Sequence, residues 1–162
     1  MSTLILYAGK YGSTEKCVDT LKKSLTGPIE TINLNRDIPP NLSPYNKVII
    51  GGSIYFGQFQ KASKQFCVDN LDLLKQKKIG LFICCGNPEN INQYMVEAFP
   101  AELLEHAVIK DCFGGELERN KMKFFDKLIT GMILKSAQKS GKPSPEILWD
   151  SVTRFSEKMN LA

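Results

Sequence analysis

Leu4-Ile5-Leu6-Tyr7-Ala8-Gly9-Lys10-Tyr11-Gly12-Ser13-Thr14 is the stretch on which the fold reading turns. Leu4–Ala8 is an unbroken apolar run without the polar alternation of a half-exposed strand, as expected where helices cover both faces of a sheet. Small and hydroxyl-bearing residues follow. A helix then starts near Ser13-Thr14 and sets Cys17, Val18, Leu21 and Leu25 on one side. Strand, glycine-rich loop and helix in that order form the opening unit of a parallel α/β sheet.

The same alternation continues along the chain. Further strands are expected at Ile29–Leu34, Lys47–Gly51, Ile79–Cys84 and Ala107–Cys112. Helices are expected after Gln60 (Phe66, Cys67, Leu71, Leu74), over Ala101–His106, over Met122–Ser136, and from Ser144-Pro145 onward with Leu148, Val152, Phe155 and Met159 repeating. Five strands joined by right-handed crossovers predict one three-layer α/β domain over residues 1–162, with a five-stranded parallel sheet in the order 2-1-3-4-5. Ligands of such sheets bind at the carboxyl ends of the strands, where strands 1 and 3 diverge. The loops after Ala8, Gly51 and Cys84 are therefore the ones to read for chemistry.

The first loop, Gly9 to Thr14, offers backbone N–H groups, hydroxyls and a helix N-terminus, the makings of either a phosphate cradle or a plain capped turn. It is neither a Walker A loop nor Gly-x-Gly-x-x-Gly. The second, Gly51-Gly52-Ser53-Ile54-Tyr55-Phe56-Gly57-Gln58-Phe59, gathers three aromatics in five residues. They could stack on a flat ligand, and at least one is expected to close the core beneath the loop. The third, Cys84-Cys85-Gly86-Asn87-Pro88-Glu89-Asn90, can present hydrogen-bonding groups to the polar edge of a ring. Vicinal Cys84 and Cys85 make a strained disulfide partner set, and no activating base lies near them in sequence. The five cysteines (Cys17, Cys67, Cys84, Cys85, Cys112) are expected as buried thiols. With one histidine, His106, no metal site is expected.

Three other uses of this fold class fail on residues. A phosphorelay receiver needs acids after strand 1 and an Asp ending strand 3, where this chain has Gly9-Lys10 and Gly52-Ser53. A low-molecular-weight phosphatase needs an arginine six residues after a cysteine. A serine hydrolase needs Gly-x-Ser-x-Gly and a partner histidine.

The loop ending in Gly12-Ser13-Thr14, together with the aromatic loop from Ser53 to Phe59, resembles the FMN-binding pattern of flavodoxins. More narrowly, Val48-Ile49-Ile50-Gly51-Gly52-Ser53-Ile54 and Tyr55-Phe56-Gly57 resemble the bacterial flavodoxin-like protoporphyrinogen oxidases. So do Phe113-Gly114-Gly115-Glu116-Leu117, Lys123-Phe124-Phe125-Asp126-Lys127 and Trp149-Asp150-Ser151-Val152. The resemblance implies a flavodoxin-like fold and non-covalent FMN. It places the FMN phosphate on Lys10, Tyr11, Gly12, Ser13 and Thr14. The isoalloxazine would run along Ser53, Ile54, Tyr55, Phe56, Gly57 and Gln58, and its pyrimidine edge would meet Cys85, Gly86 and Asn87. Flavodoxin phosphate loops usually begin with Thr or Ser, where this chain has Gly9.

Composition narrows the partners. The chain has 162 residues, 43% hydrophobic and 23% charged, with formal net charge +4. Seven basic residues face one acid, Asp126, between Arg119 and Lys142, so the basicity is local. No apolar run could span a bilayer and no basic leader precedes the first strand, so a cytoplasmic protein is expected. Within 119–142, Phe125, Leu128, Ile129, Met132 and Ile133 recur at helical spacing among lysines. That helix either packs on the sheet with a solvated basic face or meets an anionic substrate or the inner membrane face. Three functions stay open: an electron carrier with a redox partner protein, a protoporphyrinogen dehydrogenase passing electrons to a quinone, and a flavin-free binding module. Nucleic acid is not among the expected partners.

Overall fold

The computed structural model describes residues 1–86, 88–141 and 144–162. Parallel strands β1 (Thr3–Ala8), β2 (Ile29–Asn33), β3 (Lys47–Tyr55), β5 (Lys78–Cys84) and β6 (Ile109–Cys112) form the sheet in the order β2-β1-β3-β5-β6. That is the expected 2-1-3-4-5 arrangement of five strands. A sixth, β4 (Gln58–Phe59), pairs antiparallel with the end of β3. Sequence reading took 56–59 as loop. The structure closes it into a hairpin whose two turn residues, Phe56 and Gly57, both have positive φ (48° and 74°), as a tight hairpin turn of matching twist requires.

The three central strands are buried on both faces, which explains their continuous Leu, Ile and Val. Leu4, Leu6, Val48, Ile50, Leu81 and Ile83 face the helices α2 (Lys61–Asp69), α3 (Leu71–Leu74), α4 (Ile91–Ala98) and α5 (Ala101–His106). Ile5, Tyr7, Ile49 and Phe82 face α1 (Ser13–Ser24) and α7 (Trp149–Leu161). Phe59 packs on Phe99 with ring centroids 5.1 Å apart, so one aromatic of the second loop does close the core. All five cysteines are buried thiols.

Helix α4 lies where none is predicted, and two predicted helices depart from expectation. The last one starts at Trp149 rather than Ser144, because the chain ahead of it pairs with the segment leaving β6. Leu148 N–H donates to the Phe113 carbonyl, Gly115 N–H donates to the Glu146 carbonyl, and Gly114 bridges Ile147. Backbone committed to that pairing cannot also turn into a helix. The other, α6 (Phe124–Lys139), starts two residues late and buries only Thr130. Of the alternatives the sequence leaves open for its apolar face, packing on the sheet is not the one found: Phe124 is 76% and Phe125 74% accessible, and Leu128, Met132 and Ile133 are more than half so.

On the α1/α7 side, Phe82, Phe113 and Phe155 form one aromatic cluster. Phe82 stacks on Phe113 at 4.5 Å, and Phe155 stands edge-on to both. Phe82 lies directly beside Gly51 in the sheet register, and a Cβ on Gly51 would fall inside its ring. Gly51→Ala is therefore expected to destabilise the fold by about 1–3 kcal/mol as an overpacked core position. Urea unfolding of the two proteins would show this as a lower midpoint at unchanged slope.

Candidate functional site

At the carboxyl ends of β1, β3 and β5 the three loops meet around a cavity of about 100 Å³. Lys10, Tyr11 and Thr14 come from the first loop, Ser53, Ile54 and Tyr55 from the second, and Cys84, Cys85 and Gly86 from the third. A larger space of about 660 Å³ opens beside it between the β3–β4 hairpin and α6, with Ile54, Tyr55, Cys85, Gly86, Leu117 and Pro145 shared by both. That volume falls in the range of small-molecule sites. Phe56 and Gly57 line the larger space, whereas Gln58 lines neither. Gly12 and Ser13 lie just behind the cavity at the start of α1. Asn87 lies outside the described residues.

The chemistry of the first loop is that of an anion cradle. Gly12, the N-cap of α1, is left-handed at φ 97°, and no side chain caps the helix. The first-turn N–H groups are thus left for a ligand or solvent. Thr14 fills the place of the side chain missing at Gly9: a Cβ there would lie 2.9 Å from its Cβ and 3.1 Å from its Oγ1. Thr14 Oγ1 and Ser53 Oγ are both buried without a hydrogen-bond partner among the described residues. With the Tyr55 hydroxyl, three such groups border one cavity, and a polar ligand would satisfy them, because burying a hydroxyl unpaired costs about 1–3 kcal/mol.

Counter-charges for this cradle come from a segment that sequence reading did not assign to the site. The chain from Gly115 to Met122 folds over the loop. Glu116 N–H donates to Ser13 Oγ, Lys16 pairs with Glu116 and with Glu118 (2.6 Å), and Lys121 pairs with Glu118 (2.8 Å). Asp126, at the start of α6, takes the Tyr11 hydroxyl and the Lys10 ammonium (3.2 Å). The hydrogen bond from Tyr11, then Tyr55, then Lys10 hold the Asp126 carboxyl below its ordinary range. Lys121, and secondarily Lys16, do the same for Glu118, and Lys16 is itself raised by Glu116 and then Glu118. Lys10 Nζ sits 3.6 Å from the centre of the Tyr55 ring, and Tyr11 stands edge-on to Tyr55 at 5.7 Å. Burial first, then Asp126 and Tyr11, raises the Tyr55 phenol.

Beyond the predicted set, Gly115, Glu116, Leu117, Met122 and Pro145 complete the small cavity. Thr130, Ile133, Leu134 and Ala137 wall the large one. The signals for them in the sequence are the Phe113–Leu117 stretch and the lysine-rich helix, for which an anionic-substrate contact is one of the open readings. Among the described residues no group of His, Cys, Asp and Glu could hold a metal ion.

A doubly wound parallel sheet with a cleft where β1 and β3 diverge defines the class of open three-layer α/β proteins. Within it, residues 4–144 match the family model described as Flavodoxin domain, and the chain belongs to that family. Its fold is that of solved flavodoxins. The flavodoxin of Streptococcus pneumonia TIGR4 superposes with TM-score 0.61 at 13% identity, over 99% of each chain. The two-electron reduced flavodoxin of Megasphaera elsdenii gives 0.53 at 15% identity, over 68% of this chain and 84% of that one. No curated protein matches the chain.

The ion pairs that close 116–126 over the loop are partly exposed, and each contributes little. The Glu118 and Asp126 carboxyls titrate below the unfolded range, so their stabilisation is present at neutral pH and lost as pH falls through the lowered values, below about 4. Amide hydrogen exchange, normalised for intrinsic rate, is expected to show residues 115–122 losing protection between pH 5 and pH 3 while β1, β3 and β5 stay protected.

Proposed function

We propose that this protein binds FMN non-covalently at the carboxyl ends of β1, β3 and β5 and carries electrons to a redox partner protein. The observation that carries the reading is the pair of orphaned hydroxyls, Thr14 Oγ1 and Ser53 Oγ, facing one cavity beside an uncapped helix N-terminus. Membership in the flavodoxin family supports it. Bound FMN supplies reversible one- and two-electron chemistry.

The residues assign themselves to parts of that ligand. The α1 N-terminus, Ser13, Thr14 and the ammonium groups of Lys10 and Lys16 receive the phosphate. Asp126, Glu116 and Glu118 currently neutralise those lysines, and a phosphate competes with them for the same partners. Lys10 covers the Tyr55 face. Drawn toward a phosphate, it leaves that face open to a flat ring, so loading one end of the site prepares the other. Cys85 and Gly86 face the edge of the ring. Gly57 has open space around its Cβ position and a positive φ, which leaves its peptide free to turn toward the ligand.

A second reading rests on α6. Its exposed phenylalanines, leucine and methionine stand among Lys123, Lys127, Lys135 and Lys139, beside a cavity larger than the phosphate end requires. That surface suits an anionic bilayer face, and the cavity suits a flat anionic substrate such as a protoporphyrinogen whose electrons leave through a quinone. Among the described residues no helix is long and apolar enough to cross a membrane, so the contact proposed is peripheral.

Titrating FMN with the protein is expected to quench flavin fluorescence to a one-to-one end point; absence of quenching overturns the first reading. Thr14→Val and Ser53→Ala should each weaken binding about 2- to 10-fold, the cost of one hydrogen bond. Asp126→Asn should tighten it by removing a competing anion. For the second reading, co-sedimentation with phosphatidylserine vesicles is expected, and Lys123→Glu/Lys127→Glu/Lys135→Glu should abolish it, since each lysine near such a surface contributes about 1 kcal/mol. Equal sedimentation of the two proteins refutes the membrane contact.

A further inference from the structure

The thiols of Cys85 and Cys112 come together from different strands. Cys85 follows the end of β5 and Cys112 ends β6, where it pairs in register with Ile83. Cys85 is two residues beyond Ile83, so both side chains point to the α2/α4/α5 face, and their sulfurs are 3.6 Å apart. A disulfide needs about 2.05 Å, so closure draws the chain just past β5 toward β6 from a contact already made between the sulfurs. Cys85 also lines both cavities, whereas Cys112 is sealed behind it. One sulfur is thus placed to meet a small molecule and the other to resolve the product.

We infer that Cys85 and Cys112 form a reversible dithiol–disulfide couple in the wall of the cavity, oxidised by low-molecular-weight disulfides. The couple is a property of the chain itself and does not rest on FMN binding.

The surroundings of Cys112 suit this role. The Cys85 S–H and the Gly114 N–H, whose nitrogen is 3.4 Å from the sulfur, both donate to it. The hydrogen bond from Cys85 is the largest cause that brings the Cys112 thiol below its ordinary value, against the opposing effect of burial. That shift favours the thiolate, which is the reactive form. Cys67 and Cys84 behave oppositely: burial lifts Cys67 to about 12, and the contact with Cys17 raises Cys84 well above the usual thiol value. Those groups stay protonated.

The exchange balances as follows. The Cys112 thiolate takes the proton of Cys85 across their contact, and the Cys85 sulfur attacks one sulfur of the incoming disulfide. The S–S bond of that disulfide breaks and one thiolate leaves, accepting the proton back from Cys112. The Cys112 thiolate then attacks Cys85 Sγ, breaking the mixed disulfide and expelling the second thiolate. Two electrons pass from the pair to the incoming disulfide, which departs as a thiol and a thiolate.

The test uses flavin-free full-length protein held at increasing ratios of oxidised to reduced glutathione, quenched by alkylation and weighed intact. The expected result is a species two hydrogens lighter with three alkylatable cysteines, restored by dithiothreitol, whose peptide map joins Cys85 to Cys112. Cys112→Ala should instead accumulate one glutathione on Cys85, and Cys17→Ala should behave as the parent. Circular dichroism on each variant separates loss of chemistry from loss of fold, and the parent protein alone suffices to decide. Five alkylatable cysteines at the most oxidising ratio, or a linkage joining any other pair, would overturn the proposal. Neither outcome bears on flavin affinity, which the fluorescence titration reads separately.

Discussion

Everything at the functional end of this molecule depends on a ring occupying the place of a side chain. Phe82 lies against the bare backbone of Gly51 on the neighbouring strand, and Gly80 leaves similar room for Phe155. With no Cβ at either position, three phenylalanines pack as one unit between the sheet and α7. That unit ties the end of β5 to Phe113, the residue that leaves β6, and so sets where the chain from Gly114 onward begins. Gly52, beside Gly51, faces the other way and is approached by Phe59 and the Ala8 carbonyl. Two adjacent glycines thus let the sheet be thin where the ligand loops diverge and densely aromatic just beneath. Close packing of this kind is stiff, which gives the mobile chemistry above it a rigid base.

Above that base the interactions change character. The segment from Gly115 to Asp126 lies on the first loop through exposed ion pairs, one backbone hydrogen bond and a tyrosine hydroxyl, none of which excludes water thoroughly. Such contacts are individually weak and screened by salt. They satisfy the lysines of the loop in a way that an incoming dianion can replace. An apolar seal over the same loop would have to be broken at far greater cost. Under the proposed function the carboxylates hold the place of the ligand charge, above a helix N-terminus whose left-handed Gly12 leaves it without a side-chain cap.

Much of this was legible along the chain. The apolar runs at Leu4, Val48 and Ile79 named the central strands because strands buried on both faces need unbroken apolar sequence. Ala101–His106 was readable as a helix to the residue. Local pattern failed where backbone was already engaged elsewhere. Residues 144–148 read as a helix start, yet 146–148 pair with 113–115. Residues 56–59 read as loop, yet they complete a hairpin. The spacing of Phe125, Leu128, Ile129 and Met132 reports a helix with an apolar face correctly. What covers that face is a matter of tertiary contacts, and in this structure its outer residues meet solvent.

The sequence alone determined the layered α/β architecture, the strand order and the three loops that converge, because periodicity and chain-crossing rules act locally and leave few alternatives. Tertiary structure alone decided which charges face the first loop, since Lys16 meets Glu116 and Glu118 across a hundred residues. It also decided the thiol pairing. Cys84 and Cys85 are neighbours in sequence, but successive residues of an extended chain point to opposite faces, so they end on opposite sides of the sheet. Cys85 finds its partner in Cys112 because parallel strands brought into register place side chains of the same face together, whatever their separation along the chain.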